Sequence, residues 1–240
     1  MKRSTLWLGA LALAAVGCSG NSGSGVATGT KGISGTLDTG KEVLLRLKLQ
    51  PGQTYTTYMV SESSGGGQTI KFTITQEQKV DKIENGNYSI SSTLKDMKVE
   101  GSGQQIEAMR KGAESQKGKV TTLVLSDRGK IVSSGDPTGN DMNLPALPEQ
   151  PIKAGTTWEG DFEAMMVKGK MVNRAEGVQT VSGKQAMKVV TTLSNADGTL
   201  SGTTNAWFDI ETGQTILVES SAKVKLMGQE VASKTRMELR

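Results

Sequence analysis

From Glu42 to the C-terminus, apolar and polar residues alternate with a period of two. Ile70, Phe72 and Ile74 alternate with Lys71, Thr73 and Thr75. Tyr88, Ile90 and Leu94 share one parity, with Ser92 between them. Val224 and Leu226 alternate with Lys223 and Lys225, and Val231, Met237 and Leu239 oppose Lys234, Arg236 and Arg240. Each run turns one row of side chains inward and the other toward water, the signature of antiparallel sheet with a solvated face. Turn signals separate the runs at Pro51-Gly52, Gly65-Gly66-Gly67, Asn85-Gly86, Asp197-Gly198 and Met227-Gly228. One stretch departs from this rhythm. Gln104 to Gln116 is rich in Gln, Glu, Ala, Met and Lys, and Ile106, Met109 and Ala113 fall on one helical face. The pattern predicts a mainly β fold of antiparallel curved sheets, with one helix near 104–116 packed against a sheet.

The two halves share features in the same order. Pro51-Gly52-Gln53-Thr54-Tyr55 parallels Ala154-Gly155-Thr156-Thr157-Trp158, an aromatic following three residues after Gly. Gly86 and Gly183 each open a strand, with Ile90 and Met187 four residues later on the inward parity. Asp127-Arg128-Gly129 parallels Glu211-Thr212-Gly213. These matches predict two degenerate β-rich repeats, at about 42–143 and 150–240, joined by the Pro-rich stretch Leu144 to Pro151, where X-Pro bonds favour extended chain.

The N-terminus has a different character. Met1-Lys2-Arg3 is a positive n-region, and Leu6 to Val16 is an uncharged apolar run, well short of the ~20 residues a spanning helix needs. Ala15-Val16-Gly17 then leads into Cys18, the one cysteine of the chain. This resembles the lipobox of bacterial lipoproteins, with Ala15 where that motif usually carries Leu. The resemblance implies a signal peptide over 1–17, cleavage after Gly17, a diacylglycerol thioether on Cys18 and acylation, palmitate among the chains, of the new amino terminus. Two or three acyl chains make a durable anchor, since each buried methylene contributes ~0.8 kcal/mol. Ser19, rather than Asp, implies sorting to the outer membrane, facing the periplasm, in a Gram-negative cell. Residues 18–41 are dominated by Gly, Ser and Thr and read as the lipidated Cys followed by a flexible tether. Residues 42–240 form the β-rich domain.

Charge and composition narrow the function further. The full chain carries +4, and loss of Lys2 and Arg3 leaves +2, no electrostatic footprint for nucleic acid. With Cys18 lipidated the folded part has no thiol, hence neither a disulfide nor a cysteine metal site. There is no histidine, which removes Ser-His-Asp and Cys-His nucleophile pairs and zinc sites of the usual kind.

Several fragments imitate motifs. Asp38-Thr39-Gly40 resembles the aspartic-protease triplet, but its nearest counterpart, Glu211-Thr212-Gly213, carries Glu. Ser92-x-x-Lys95 and Ser220-x-x-Lys223 lie in strand-like sequence, where positions three apart face opposite ways. Glu159, Asp161 and Glu163 alternate with Trp158 and Phe162 and read as the wet side of a strand. Asp136 to Asp141 lacks EF-hand spacing, and Gly112 to Lys119 lacks that of a P-loop. The methionines, among them Met59, Met97, Met109, Met165, Met166, Met171, Met187, Met227 and Met237, read as core filling or as the lining of an apolar groove.

Within each half come a Gly-aromatic strand opening, paired strands and an acidic-x-Gly turn. Between them sits Leu147-Pro148-x-x-Pro151-x-Lys153-x-Gly155-x-x-Trp158. This order resembles a family of uncharacterised bacterial envelope lipoproteins built from two β-rich repeats, over roughly residues 42–240. More distantly, long antiparallel strands crossed by a helix resemble the half-barrel of envelope lipoprotein and lipid carriers, which implies a lipid-binding cleft. The expected protein is a non-enzymatic, lipid-anchored envelope lipoprotein that binds an apolar ligand or envelope component. The alternative is a structural or protein-interaction module. Its expected partners are the membrane, through Cys18, and a lipid or envelope protein; no nucleic acid, cofactor, metal or catalytic residue is expected.

Overall fold

The computed structural model describes residues 32–134, 146–164, 167–226 and 229–240. A short strand β1 (Ile33–Asp38) precedes two meanders. The first comprises β2 (Thr54–Gly65), β3 (Gln68–Glu84), β4 (Asn87–Glu100), helix α1 (Gln104–Gln116), β5 (Val120–Ser126) and β6 (Ile131–Ser134). The second runs through β7 (Thr157–Ala164), β8 (Val167–Val181), β9 (Lys184–Ser194), β10 (Leu200–Asp209), β11 (Thr215–Leu226) and β12 (Gln229–Leu239). Every pair is antiparallel. The last strand, β12, pairs with the first strand of the first meander, from Val231 opposite Gly65 to Leu239 opposite Thr57. The halves therefore share one continuous sheet, ordered β1-β8-β9-β10-β11-β12-β2-β3-β4-β5-β6, with β7 also on β8. It is an open sheet, not closed into a barrel.

Register sorts the side chains cleanly. We call inner the face that carries α1. On it lie Met59, Ser61, Phe72, Ile74, Val99, Met237, Thr235, Ala206 and Val189, all linked by direct cross-strand pairing. The charged residues of both meanders point the other way. Glu62 opposes Lys71 and Lys234, Glu219 opposes Arg236, and Lys223 pairs with Glu230 at 2.9 Å, all outside. Charges at bulges also turn outward: Lys95 pairs with Glu77 at 2.7 Å, and Asp81 accepts a hydrogen bond from Ser91. Among the described strand side chains of the meanders, the inner face holds no Lys, Arg, Asp or Glu. The bulges, at Thr75/Gln76, Val80/Lys82 and Ala175/Gly177, bend the strands they interrupt.

Three segments cover the inner face. Helix α1 lays Ile106, Met109 and Ala113 on Phe72, Ile74, Val99 and Met97, so the predicted helical face is the one that packs. Full burial of a residue such as Ile106 contributes ~1.5–3 kcal/mol. Arg110 ties the helix to the end of β4 through the Val99 and Gly101 carbonyls. Residues 41–50 form a strap across the opposite end of the sheet. Val43, Leu45 and Leu49 are buried there, and Leu45 is 2% exposed. Residues 146–153 of the connector run beside it, joined through the antiparallel bridge Val43–Ile152.

Two stretches differ from the sequence pattern. The alternation Val43-Leu44-Leu45-Arg46-Leu47-Lys48-Leu49 yields a strap rather than a strand, since its N–H groups go to turns: Leu47 to the Asp127 carbonyl, Lys48 to that of Thr212. Ile33–Asp38, within the tether expected over 18–41, is strand β1, because the lower half of β8 offers it a free edge (Ile33 opposite Val181).

The two meanders match in geometric detail. The Gly52 N–H bonds the Val80 carbonyl at 2.7 Å, and the Val80 N–H bonds Gln53 at 2.9 Å. Gly155 and Thr156 do the same with Ala175, at 2.8 and 2.9 Å. Both hairpin tips, Asn85-Gly86 and Ser182-Gly183, have two consecutive residues with positive φ. Counted from the bulges, however, Ile90 corresponds to Val189, since Val80 opposes Ile90 and Ala175 opposes Val189. Met187 lies two residues nearer the turn because the second hairpin is longer.

Candidate functional site

The middle of the inner face lies between the strap and α1. One cross-strand row there is polar and uncharged: Asn173 (β8), Thr191 (β9), Thr204 (β10), Ser220 (β11), Thr235 (β12) and Ser61 (β2). Six strands at ~4.8 Å spacing give this belt a length of roughly 24 Å. Its register continues to Trp158 on β7 at one end and to Phe72 on β3 at the other. Thr235 donates to the Ser61 hydroxyl at 2.9 Å, Thr191 to Asn173 Oδ1 at 2.8 Å, and Asn173 Nδ2 to the Trp158 carbonyl at 3.3 Å. Five of the six side chains are buried, Ser61 completely; Thr191 is half-buried.

An apolar row flanks the belt toward the strap, and a mixed row, ending in Ser233 and Ser63, flanks it on the other side. Toward the strap lie Ala206, Val218, Met237 and Met59, of which Val218, Met237 and Met59 are half-buried. On the other side lie Met171, Leu193, Gly202 and Ala222, all buried. The hydroxyls of the belt both donate and accept hydrogen bonds. Chemically the strip is apolar on its strap side and polar but uncharged at its centre. It has no acid, base or nucleophile paired for proton transfer.

The strap end is locked electrostatically. Arg46 Nη1 donates to the Leu45 and Pro148 carbonyls, both at 2.7 Å, and Nη2 to Glu149 at 2.9 Å. Its Nε lies 3.4 Å from Asp127 Oδ2. The Tyr88 hydroxyl donates to the Leu47 carbonyl. Burial pushes the Tyr88 phenol up, and the nearby Asp127 charge adds to this. Burial alone pushes Tyr55, in the same apolar cluster, up to about 12. On the outer face Asp209 is buried, which on its own would raise its carboxyl. Hydrogen bonds from the Glu211 N–H at 2.9 Å and Lys184 Nζ at 3.0 Å hold it below the usual carboxylate range instead.

The motif-like fragments fall where they do no chemistry together. Asp38 caps its own turn, accepting from the Gly40 and Lys41 N–H groups. Ser92 lies on the inner face of β4, and the bulge at Lys95 turns that residue outward. Glu159 and Asp161 are exposed on β7, with Trp158 packed under the strap. Cys18, Asp136 to Asp141, Met165, Met166 and Met227 lie outside the described residues. Among the described residues no helix is long and apolar enough to cross a membrane, and no cluster of His, Cys, Asp or Glu could hold a metal ion. A shallow groove of about 330 Å³ lies on the outer face over Gly202, between Thr192, Thr203, Ser221 and Lys234. The belt and the Arg46 clamp were not found by motif reading. Thr235, on the same parity as Val231, Met237 and Leu239, was the sequence signal for this row.

No protein-family model matches the sequence, and no curated protein matches it. Two solved structures are similar. One is the hypothetical lipoprotein YmcC of Escherichia coli (K12), 13% identical, covering 78% of this chain and 89% of that one, with a TM-score of 0.33. The other is a DUF1329 family protein from Desulfovibrio piger, 9% identical, covering 79% and 84%, with a TM-score of 0.24. Both likenesses are distant.

Proposed function

We propose that this chain is a lipid-anchored lipoprotein of the bacterial envelope, tethered through Cys18, that acts by binding rather than by catalysis. Its ligand is the apolar part of an envelope amphiphile, held on the inner face between α1 and the strap. The observation that carries this reading is the segregation of charge to the outer face among the described strand side chains. Core packing alone does not require partly buried positions such as Val218 and Met237 to be free of charge. A sheet that receives an acyl chain does, because a charge desolvated by the ligand costs several kcal/mol or more. The lipobox-like N-terminus supports the anchor, and at an outer membrane the domain faces the periplasm.

The test places a charge on the floor. Val218→Glu or Met237→Glu should remove a co-purifying lipid adduct seen by native mass spectrometry, whereas Lys225→Glu, on the outer face, should leave it. Equal adducts in all three would contradict the reading.

A second reading, a protein-interaction module, is favoured by one edge. Among the described residues β6 pairs with Leu123 to Leu125 of β5, and Val120, which pairs with Thr93 of β4 on one side and has no described neighbour on the other, is 61% exposed. An extended peptide could add there. Proline at Thr122 would then abolish partner crosslinking in cells while leaving any lipid adduct intact.

A further inference from the structure

We infer that the shallow groove on the outer face binds an acidic glycan, a sugar chain bearing carboxylates, independently of what the inner face holds. At about 330 Å³ the groove falls within the range of small-ligand sites, ~300–1,000 Å³. Its floor is the backbone of Leu193, Gly202 and Ala222, residues of inner-face parity. Hydroxyls wall it in: Thr192 and Ser194 of β9, Ser201 and Thr203 of β10, and Ser221 of β11. Each of these residues is at least partly exposed, and no hydrogen bond among the described residues engages their side chains.

This patch differs from the rest of the solvated face. Elsewhere the outer face is laced with ion pairs: Lys71 with Glu100, Lys95 with Glu77, and Arg236 with Glu219 and Glu238. Over the groove the walls are uncharged hydroxyls, and Ser194, Ser201 and Ser221 are not the β-branched or aromatic residues that strands favour. Charge enters at one margin only. Lys223 and Lys234 line the groove and no carboxylate does. Lys223 is shared with Glu230 at 2.9 Å, while Lys234, opposite Glu62 on β2, makes no ion pair among the described residues.

The row has the length of a chain rather than of a small anion. Val172, Thr192, Thr203, Ser221 and Lys234 stand opposite one another in turn across five strands. At ~4.8 Å per strand this row is roughly 19 Å long. Ser and Thr hydroxyls donate to and accept from sugar hydroxyls. Val172, 41% exposed, meets the C–H face of a ring, and Lys234 pairs with an acid group. β8 runs from Lys170, opposite Ser194, to Val181, opposite Ile33. At ~3.3 Å per residue the groove therefore lies roughly 35 Å from the point where β1 joins the sheet. With the anchor proposed at Cys18, that end meets a polymer of the envelope rather than the headgroups of its own membrane.

The test titrates the intact protein, in a non-ionic detergent, with tetragalacturonate, with its methyl ester and with tetraglutamate, by isothermal titration calorimetry. The inference predicts that tetragalacturonate binds about threefold or more tighter than either of the others. Lys234→Gln and Thr203→Val should each weaken it about threefold, with thermal midpoints confirming the fold. Lys98→Gln, an exposed lysine elsewhere on the outer face, should leave it unchanged. Equal affinity for tetraglutamate would reduce the contact to charge alone, and equal affinity for the ester would leave the lysines idle. Either result, an equal loss in Lys98→Gln, or no binding of tetragalacturonate at millimolar concentration would overturn the inference.

Discussion

Gly213, in the turn between β10 and β11, lies directly beneath the carbonyl oxygen of Arg46 in the strap. A Cβ at this glycine would stand 2.0 Å from that oxygen, and its φ of +69° is itself unfavourable for any other residue. Gly129, at the matching turn of the first meander, has a φ of +73° and nothing within 4 Å of a Cβ. Gly129→Ala should therefore cost only the left-handed backbone term, ~1–2 kcal/mol. Gly213→Ala should cost clearly more, because the strap must lift. Denaturant midpoints of the two variants give the comparison; equal losses would show that the strap does not press on this turn.

The strap's grip depends on alternate residues. Leu45 is 2% exposed within the cluster of Met187, Val189 and Ile152, whereas Leu44 beside it is 45% exposed. Leu45→Ala should destabilise by ~2–5 kcal/mol and Leu44→Ala by less than ~0.5 kcal/mol. Similar effects at both positions would contradict the packing described here.

Asp209 makes stability depend on acid pH. Its folded pKa is depressed, so the folded state binds fewer protons than the unfolded chain on either side of that value. The contribution is fully present above the unfolded pKa of ~3.9 and is lost as pH falls through the folded value. Asp209→Asn should be less stable than the wild type at pH 7, with the gap closing under acid. Urea midpoints across that range would show parallel curves if the Glu211 and Lys184 hydrogen bonds contributed nothing.

Tyr55 acts at the other end of the scale. Raised to about 12, its phenol stays protonated in the folded state where the unfolded chain ionises. Its contribution is present below ~10 and is lost as pH rises from there toward 12. Tyr55→Phe should flatten the alkaline loss of stability. A phenolate absorbance band assigned to Tyr55 near pH 10, with the fold intact, would contradict its burial.

The sequence was most readable where one face of a strand is wet. Alternation of Ile70, Phe72 and Ile74 with Lys71 and Thr73 placed β3 and its inner face correctly, and Ile106, Met109 and Ala113 placed α1. β1 was hidden because a short strand in Gly- and Thr-rich sequence owes its existence to the free edge of β8, a tertiary circumstance. The strap was hidden for the converse reason: its alternation is strand-like, but the turns at Asp127 and Thr212 take its N–H groups. The belt is assembled from residues as far apart as Ser61 and Thr235. Only the β12–β2 seam, formed by the last strand of the chain, brings those two within 2.9 Å. No local pattern encodes such a row.

The most direct test of the account compares the mass of the intact, membrane-extracted protein under denaturing and native conditions. The denaturing mass reports covalent lipid: the account predicts a chain beginning at Cys18 and bearing diacylglycerol, with or without a third acyl chain. The native mass should exceed it by one non-covalently held lipid. Identical native and denaturing masses, with the anchor present, would contradict ligand binding on the inner face and leave the β5 edge as the surface through which this lipoprotein acts.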